Sequence, residues 1–372
     1  CLVATTGPVI VTRLELRDFR NYEAAELQVP AGLAVVVGPN GAGKTNLLEA
    51  VYFGCTGGSP RTSNERELVR RGASVARVVV DTCDDDAAHR LEVGFEPGEA
   101  KRLRVDGAAV NSLATLDARP LVSVFMPERL ELVKGAPAAR RAHLDQVVAA
   151  LWPARAGARA AYSRALAQRN ALLGRIRAGA ATPSALDAWD AELAREGIAL
   201  MEHRAEAVDG LQEPFGRLAG QLGLPGPAEV RYRPRSAAAD ADGLAAELAE
   251  RRAADLDRGF TAHGPHRDEL GLRLDGVTLR AYGSQGQQRT ALLALLFAER
   301  ELLSARRGRP PLMLLDDVMS ELDAERRGLL AELLRSAGQA IVTATEADHV
   351  PGAAEDELIR VGAGALLGPV VA

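Results

Sequence analysis

Eight consecutive residues, Gly38-Pro39-Asn40-Gly41-Ala42-Gly43-Lys44-Thr45, carry the phosphate-binding pattern G-x-x-x-x-G-K-[ST]. Glycines let successive backbone N–H groups converge on phosphate oxygens, and a helix N-terminus behind them adds a favourable dipole. In that arrangement Lys44 is expected to reach the β and γ phosphates of ATP, and the Thr45 hydroxyl to ligate Mg²⁺. Far downstream, Leu312-Met313-Leu314-Leu315 runs into Asp316-Asp317. An apolar strand ending in carboxylates puts an acid at the carboxyl edge of a sheet, beside such a loop. Asp316 is expected to hold Mg²⁺, directly or through water, and Asp317 to orient or activate the attacking water. Adjacent acids also open many ordinary helices, so this pair gains its meaning from the loop.

A third segment, Ser284-Gln285-Gly286-Gln287-Gln288, stands before an apolar helix. It resembles the ABC ATPase signature Leu-Ser-Gly-Gly-Gln, with Tyr282-Gly283 before the serine and Gln285 at the first glycine position. Ser284, the Gly286 backbone and Gln287 would present free helix N–H groups to a γ-phosphate, and the plain alternative is a helix cap. Ser320-Glu321-Leu322-Asp323 resembles the D-loop of the same class. Two departures point to slow turnover. The acid after Asp316 is Asp where most of that class have Glu, and Thr343-Ala344-Thr345 stands where many place a histidine.

The elements that must position these residues can be read from apolar patterning. Val9 to Asp18 reads as a strand, with Glu23 to Val29 a candidate antiparallel partner. Leu33 to Val37 is a continuous apolar run, the mark of a strand buried on both faces, and Asn46 to Phe53 after the loop is helical. Short strands are expected at Arg77 to Asp81, His89 to Phe95, Arg102 to Val105 and Leu121 to Phe125. From about Arg140 to Glu250 the pattern turns to Ala, Arg and Leu at helical spacing, with breaks expected at Pro153, Pro183, Pro214 and the Gly223 to Pro227 cluster. A long coiled-coil arm needs unbroken heptads, so a compact helical lobe is expected instead. Strands return at Glu269 to Leu274 and Val277 to Tyr282, then a helix from Gln287 to Ala305. A strand at Pro311 to Leu315, a helix at Ala324 to Ser336 and a strand at Gln339 to Thr345 complete the pattern. This predicts an α/β ATPase domain split in sequence, 1–139 and 257–372, with a helical lobe, 140–256, inserted.

Composition narrows the partners. The 372 residues carry a net charge of −5, so any nucleic-acid site must be a local patch. Lys44, Lys101 and Lys134 are the lysines among 45 basic residues and the rest are arginines, a bias that suits phosphate contact but also follows from GC-rich coding. No apolar run approaches the roughly 18–20 residues of a membrane span. Cys1, Cys55 and Cys83 have neither metal-ligand spacing nor disulfide density, which fits a cytoplasmic protein. The chain begins with Cys rather than Met, so residue 1 need not be the true start.

A closer resemblance emerges from several segments together. They are Phe19-Arg20-Asn21-Tyr22, Pro127 to Gly135, Arg140-Arg141, Gly264-Pro265-His266-Arg267-Asp268 and the Ser284 segment. Spread over nearly the whole chain, they are similar to motifs of the RecF family of ABC-type ATPases. That resemblance implies a head-to-tail homodimer around two ATP molecules, with Ser284, Gly286 and Gln287 completing the site of the opposite subunit. ATP binding would close a clamp on double-stranded DNA and single–double-strand junctions at gaps, and hydrolysis would reopen it. The implied partners are RecR, with RecO and RecA downstream, and no membrane. Arg20 resembles the arginine that approaches nucleotide in related DNA-repair ATPases, although an ion-paired or solvated arginine fits equally, and Asp323 falls in the D-loop at the nucleotide. His263, His266 and Asp268 have metal-ligand spacing but no obvious fourth partner, and the resemblance makes them a structural motif. Two clusters, Arg61, Arg66, Arg70 and Arg71, and Arg231, Arg233 and Arg235, are candidates for phosphate contact or plain solvated surface. The competing readings are an ABC transporter subunit, an arm-bearing chromosome-organising ATPase and a non-catalytic scaffold holding ATP.

Overall fold

The computed structural model describes residues 8–113, 116, 119–320, 322–336 and 338–367, so Cys1 and Glu321 lie outside the described residues. Strands β1 (Ile10–Phe19), β2 (Tyr22–Gln28) and β3 (Leu33–Val37) lead into helix α1 (Lys44–Thr56). Strands β4 (Ala76–Cys83), β5 (Ala88–Phe95), β6 (Arg102–Val105), β7 (Ala108–Ala109) and β8 (Val122–Phe125) follow. The chain then passes through helices α2 (Glu131–Lys134), α3 (Pro137–Leu151), α4 (Ala158–Arg177) and α5 (Leu186–Gln221). Next come β9 (Ala228–Arg233), α6 (Ala241–Glu250), α7 (Arg252–Arg258), β10 (Glu269–Leu274), β11 (Val277–Thr278), α8 (Leu279–Tyr282) and α9 (Gln285–Arg307). The last elements are β12 (Leu312–Leu315), α10 (Ala324–Arg335), β13 (Ala340–Ala344), β14 (Leu358–Gly362) and β15 (Ala365–Leu366).

These elements form two compact units. One comprises Cys1–Arg129, Gln221–Gly223 and Arg300–Ala372, the other Leu130–Gly220 and Leu224–Glu299. This division differs from the one read in the sequence, since it groups the Ser284 segment with the helices. The reason lies in sheet pairing: β10 zips antiparallel to β9, Glu269 opposite Arg233 and Leu274 opposite Ala228, and so ties the chain after 257 to the helical part.

In the first unit, β3 is the centre of a sheet ordered β15-β14-β3-β13-β12-β8. All five of its residues are buried, as a strand flanked by parallel neighbours requires. An antiparallel sheet, β2-β1-β4-β5-β6-β7, turns Leu14, Leu16, Val78, Val80 and Leu91 inward. These side chains share one core with Leu47 and Phe53 of α1 and with Val36, Leu314 and Ile341 of the parallel sheet. Each such buried side chain contributes about 1.5–3 kcal/mol. Gln339 joins the two sheets: its Nε2 donates to the carbonyls of Val11 and Pro30, both at 2.7 Å, and its Oε1 accepts from Val11 N at 2.8 Å.

In the second unit, α4, α5 and α6 share an apolar core of Tyr162, Ala165, Leu193, Leu200, Leu244 and Leu248. Buried ion pairs accompany it. Arg169 donates to Asp190 at 2.6 Å and Asp255 at 2.7 Å, and Arg204 to Asp145 at 2.8 Å and Asp268 at 3.1 Å.

Two expectations need correction, and two strands had no sequence signal. Pro214 does not break the helix: α5 runs through it for 36 residues. Proline costs one backbone hydrogen bond and a ring clash, about 3 kcal/mol, and buried Leu211, Phe215 and Leu218 around it offset that loss. The strand expected over Val277 to Tyr282 stops at Thr278, and Leu279–Tyr282 is a helical turn instead. There the buried Leu279 has its carbonyl capped by Gln288 Nε2 at 2.9 Å. The helical region also contains β9, and the parallel sheet gains β14, neither of which the periodicity signalled. Among the described residues no helix exceeds the 36 residues of α5, and none is long and apolar enough to cross a membrane.

Candidate active site

The phosphate-binding loop is clamped from several sides within the first unit. Tyr22 Oη donates to Gly43 O at 3.0 Å, Asn21 Nδ2 donates to Ala42 O at 3.3 Å, and Gly364 N donates to the same carbonyl at 2.8 Å. These contacts explain two of its glycines. A Cβ on Gly38 would lie 2.1 Å from the Val361 carbonyl oxygen, and one on Gly43 would lie 2.7 Å from Asn21 Nδ2. Gly43 also has φ of 111°, in the left-handed region that favours glycine. Helix α1 starts directly after it with no side chain capping its first N–H groups.

Lys44 is only 7% exposed, and its amine donates to Gly38 O at 2.7 Å and Pro39 O at 3.1 Å, folded back into its own loop. Burial holds the ammonium below the usual lysine range, while the carboxylates of Asp317 and Asp316 pull it back up.

Asp316 leaves the end of β12, its N–H donating to Phe125 O at 2.8 Å. Its carboxylate, 6% exposed as a residue, accepts from Thr45 Oγ1 at 2.8 and 3.0 Å and from Thr343 Oγ1 at 2.7 Å. Burial raises this carboxyl above the ordinary range, and the hydrogen bonds from Thr343 and Thr45 counter that rise. Asp317 follows with φ of 48°, its N–H donating to Thr343 Oγ1 at 2.9 Å. The Thr45 hydroxyl and the Asp316 carboxylate place hard oxygen donors side by side next to the loop, a donor set whose chemistry suits Mg²⁺. Among the described residues no cluster of three or more His, Cys, Asp or Glu forms a separate metal site.

Arg20 sits beside this loop but is not free. Its guanidinium grips Glu49, a fully buried acid on α1. Arg61 reaches the same acid at 3.2 Å, Asn46 Oδ1 at 3.0 Å and Glu128 at 3.4 Å, and Ser59 Oγ donates to Glu49 at 2.6 Å. Glu49 was missed by motif reading. Its signal was an acid in the otherwise apolar run of α1.

The remaining candidates lie elsewhere. Ser284 and Gln287, in the second unit, form a reciprocal cap at the start of α9: Ser284 N donates to Gln287 Oε1 at 2.9 Å, and Gln287 N to Ser284 Oγ at 3.2 Å. A Cβ on Gly286 would meet only the Ser284 hydroxyl at 4.0 Å, and neighbouring Tyr282 is 76% exposed. Asp323 caps α10, accepting from Arg326 N at 2.9 Å. Arg66, Arg70 and Arg71 line a shallow depression of about 420 Å³. Arg70 is ion-paired to Glu23 at 2.8 Å, whereas Arg66 and Arg71 are exposed with no side-chain partner among the described residues. Arg231 and Arg233 project from the exposed side of β9, and Arg235 follows, its N–H donating to Asp268 Oδ1 at 2.7 Å.

The histidine motif is structural. His263 pairs with Glu247, His266 is bonded to Tyr162 at 2.7 Å and Thr261 O at 3.0 Å, and Asp268 accepts from Arg204 and Tyr232.

Comparison with known proteins agrees with this architecture. The family model described as RecF/RecN/SMC N terminal domain matches residues 10–364. The DNA replication and repair protein RecF of Streptomyces avermitilis is 40% identical over 358 residues, covering 92% of this chain and 95% of that protein. That of Frankia alni is 38% identical over 375 residues, covering 96% and 99%. A solved structure of the recombination mediator protein RecF with ATP, in the RecFOR pathway, superposes with a TM-score of 0.86 at 26% identity, covering 97% of each chain. The Smc head domain bound to the C-terminal domain of ScpA from Pyrococcus furiosus, 17% identical with a TM-score of 0.55, shares the fold. These relatives displace the transporter reading, and the chain belongs to the RecF family of DNA replication and repair proteins.

Proposed function

We propose that this chain is an ATP-dependent DNA-binding protein of recombinational repair and replication-fork maintenance. It closes as a homodimer clamp on duplex DNA and single–double-strand junctions, and a weak, DNA-stimulated ATPase activity releases it. The observation that carries this reading is the meeting of Thr45 and Asp316 beside the Lys44 loop, residues 271 positions apart brought to 2.8 Å. The solved RecF relatives with ATP and with ATPrS support nucleotide as the ligand, and their RecFOR pathway supports RecR, RecO and RecA as the partners of a cytoplasmic mediator.

Thr45 and Asp316 would hold Mg²⁺, whose charge would be supplied against the nucleotide phosphates. Lys44 would turn from the Gly38 and Pro39 carbonyls to the same phosphates. Asp317 would take the hydrogen bond of the attacking water, with a carboxylate shorter than Glu and no histidine behind it, so turnover is slow. Ser284, Gly286 and Gln287 would complete the site of the opposite subunit, with Asp323 at the same junction.

Light scattering with Mg²⁺ tests this in three states: no nucleotide, ADP and ATP. ATP alone is expected to produce a dimer, and both Ser284→Arg and Lys44→Met to abolish it. A mass indifferent to ATP and to both substitutions overturns the clamp.

A further inference from the structure

Thr343 lies in β13, fully buried, with its backbone in register with Val36 of β3. Its hydroxyl bridges both acids of the site. The Asp317 backbone N–H can only donate, so the hydroxyl accepts there, at 2.9 Å, and its single proton goes to Asp316 Oδ1 at 2.7 Å. One atom therefore fixes two things. It anchors the Asp316 carboxylate opposite Thr45, whose hydroxyl bonds the same carboxylate at 2.8 Å. It also ties down the backbone of Asp317, which has φ of 48°, a left-handed conformation that a non-glycine residue keeps where its surroundings hold it. Asp317 in turn acts electrostatically on Lys44, so the bridge reaches the phosphate loop from the acidic side as well.

We propose that Thr343 is a positioning residue for the nucleotide chemistry, its hydroxyl holding Asp316 in place for the divalent cation and Asp317 in place for the water. The proposal rests on the ATPase reading above. It assigns the job of ordering the acids to the strand between β3 and β12, at a segment otherwise notable for lacking histidine.

The test compares Thr343→Val, which keeps the shape and removes the hydroxyl, with Thr343→Ser, which keeps the hydroxyl. Groups that orient metal ligands typically contribute about 10–100-fold in metal affinity or activity. Mn²⁺ affinity, read by electron paramagnetic resonance in the presence of a non-hydrolysable ATP analogue, is expected to fall about 10-fold or more in Thr343→Val and to recover in Thr343→Ser. Turnover should fall through kcat, with KM for ATP nearly unchanged. Analogue binding without metal should match wild type, which a general loss of fold would not allow. Thr343→Ala replaces the valine variant if its thermal midpoint drops, with the same losses expected. Wild-type Mn²⁺ affinity and kcat in the hydroxyl-free variants, or failure of Thr343→Ser to recover, overturns the proposal. A wild-type protein that binds no nucleotide overturns the ATPase reading and this proposal together, so the two failures are distinguishable.

Discussion

Arg20 and Glu49 meet fork to fork: Nε lies 2.8 Å from one carboxylate oxygen and Nη2 lies 2.8 Å from the other. The acid is fully buried and the arginine side chain is 15% exposed. The pair fastens the turn between β1 and β2 to α1, and Arg61 completes it from the other side. In this geometry Arg20 is part of the loop's foundation, with its guanidinium committed to Glu49.

Removing the acid leaves two arginines facing a site without charge. Glu49→Gln is therefore expected to lower unfolding stability by about 3–5 kcal/mol. Arg20→Ala should cost less, because Arg61 and Ser59 still satisfy Glu49. Urea unfolding of the two variants checks the order. A Glu49→Gln protein as stable as wild type would remove this pair from the account of the fold.

His266 makes the second unit sensitive to acid. Its Nε2–H donates to Thr261 O and its Nδ1 faces the Tyr162 hydroxyl, an arrangement that suits the neutral ring. Burial, assisted by Arg267 and Arg141, lowers its pKa to about 4, against the pull of the Thr261 carbonyl and Asp255. The folded value lies below the unfolded one, so the unfolded chain binds the extra proton. Stability from this residue is present above about pH 6.5 and is lost as pH falls toward 4, a swing of about 3 kcal/mol. Unfolding measured at pH 7 and pH 4 should show wild type losing more stability than His266→Gln by about that amount. Equal losses in the two proteins would contradict it.

Duplex binding separates the arginines of the first cluster. Each phosphate contact contributes about 0.9 to the slope of log affinity against log salt. Arg66→Ala combined with Arg71→Ala is expected to flatten that slope by roughly 2, whereas Arg61→Ala, engaged with Glu49, Asn46 and Glu128, should leave it unchanged. An unaltered slope in the double variant turns attention to Arg231 and Arg233 on β9.

The elements that could be read in advance share one property: their signal is local. Leu33–Val37 and Leu312–Leu315 are unbroken apolar runs, and the glycines before Lys44 have fixed spacing. The apolar strand that precedes Asp316 shows itself without any knowledge of what it touches. Glu49 did not stand out because its partners, Arg20, Ser59 and Arg61, come from two separate stretches of chain. Strand β14 was hidden by Arg360 in a run of five residues, and its assignment depends on β3 lying alongside. Pro214 misled because proline's local cost is visible in sequence, whereas the packing of Leu211 and Phe215 that offsets it is not. The role of Thr343 appears only when β13 is laid between β3 and β12.

That strand order also has a consequence in time. β3 is made early, yet both of its neighbours, β13 and β14, come from residue 340 onward. At bacterial elongation rates, on the order of 5–20 residues per second, a five-residue apolar strand waits tens of seconds for its partners. During synthesis it is an uncovered edge on both sides, the kind of surface that chaperones attend and that aggregates when they do not. The closure that brings β13 and β14 to β3 waits on residues from 340 onward, so synthesis that stalls before residue 340 leaves a chain with its phosphate loop present and its central sheet unbuilt.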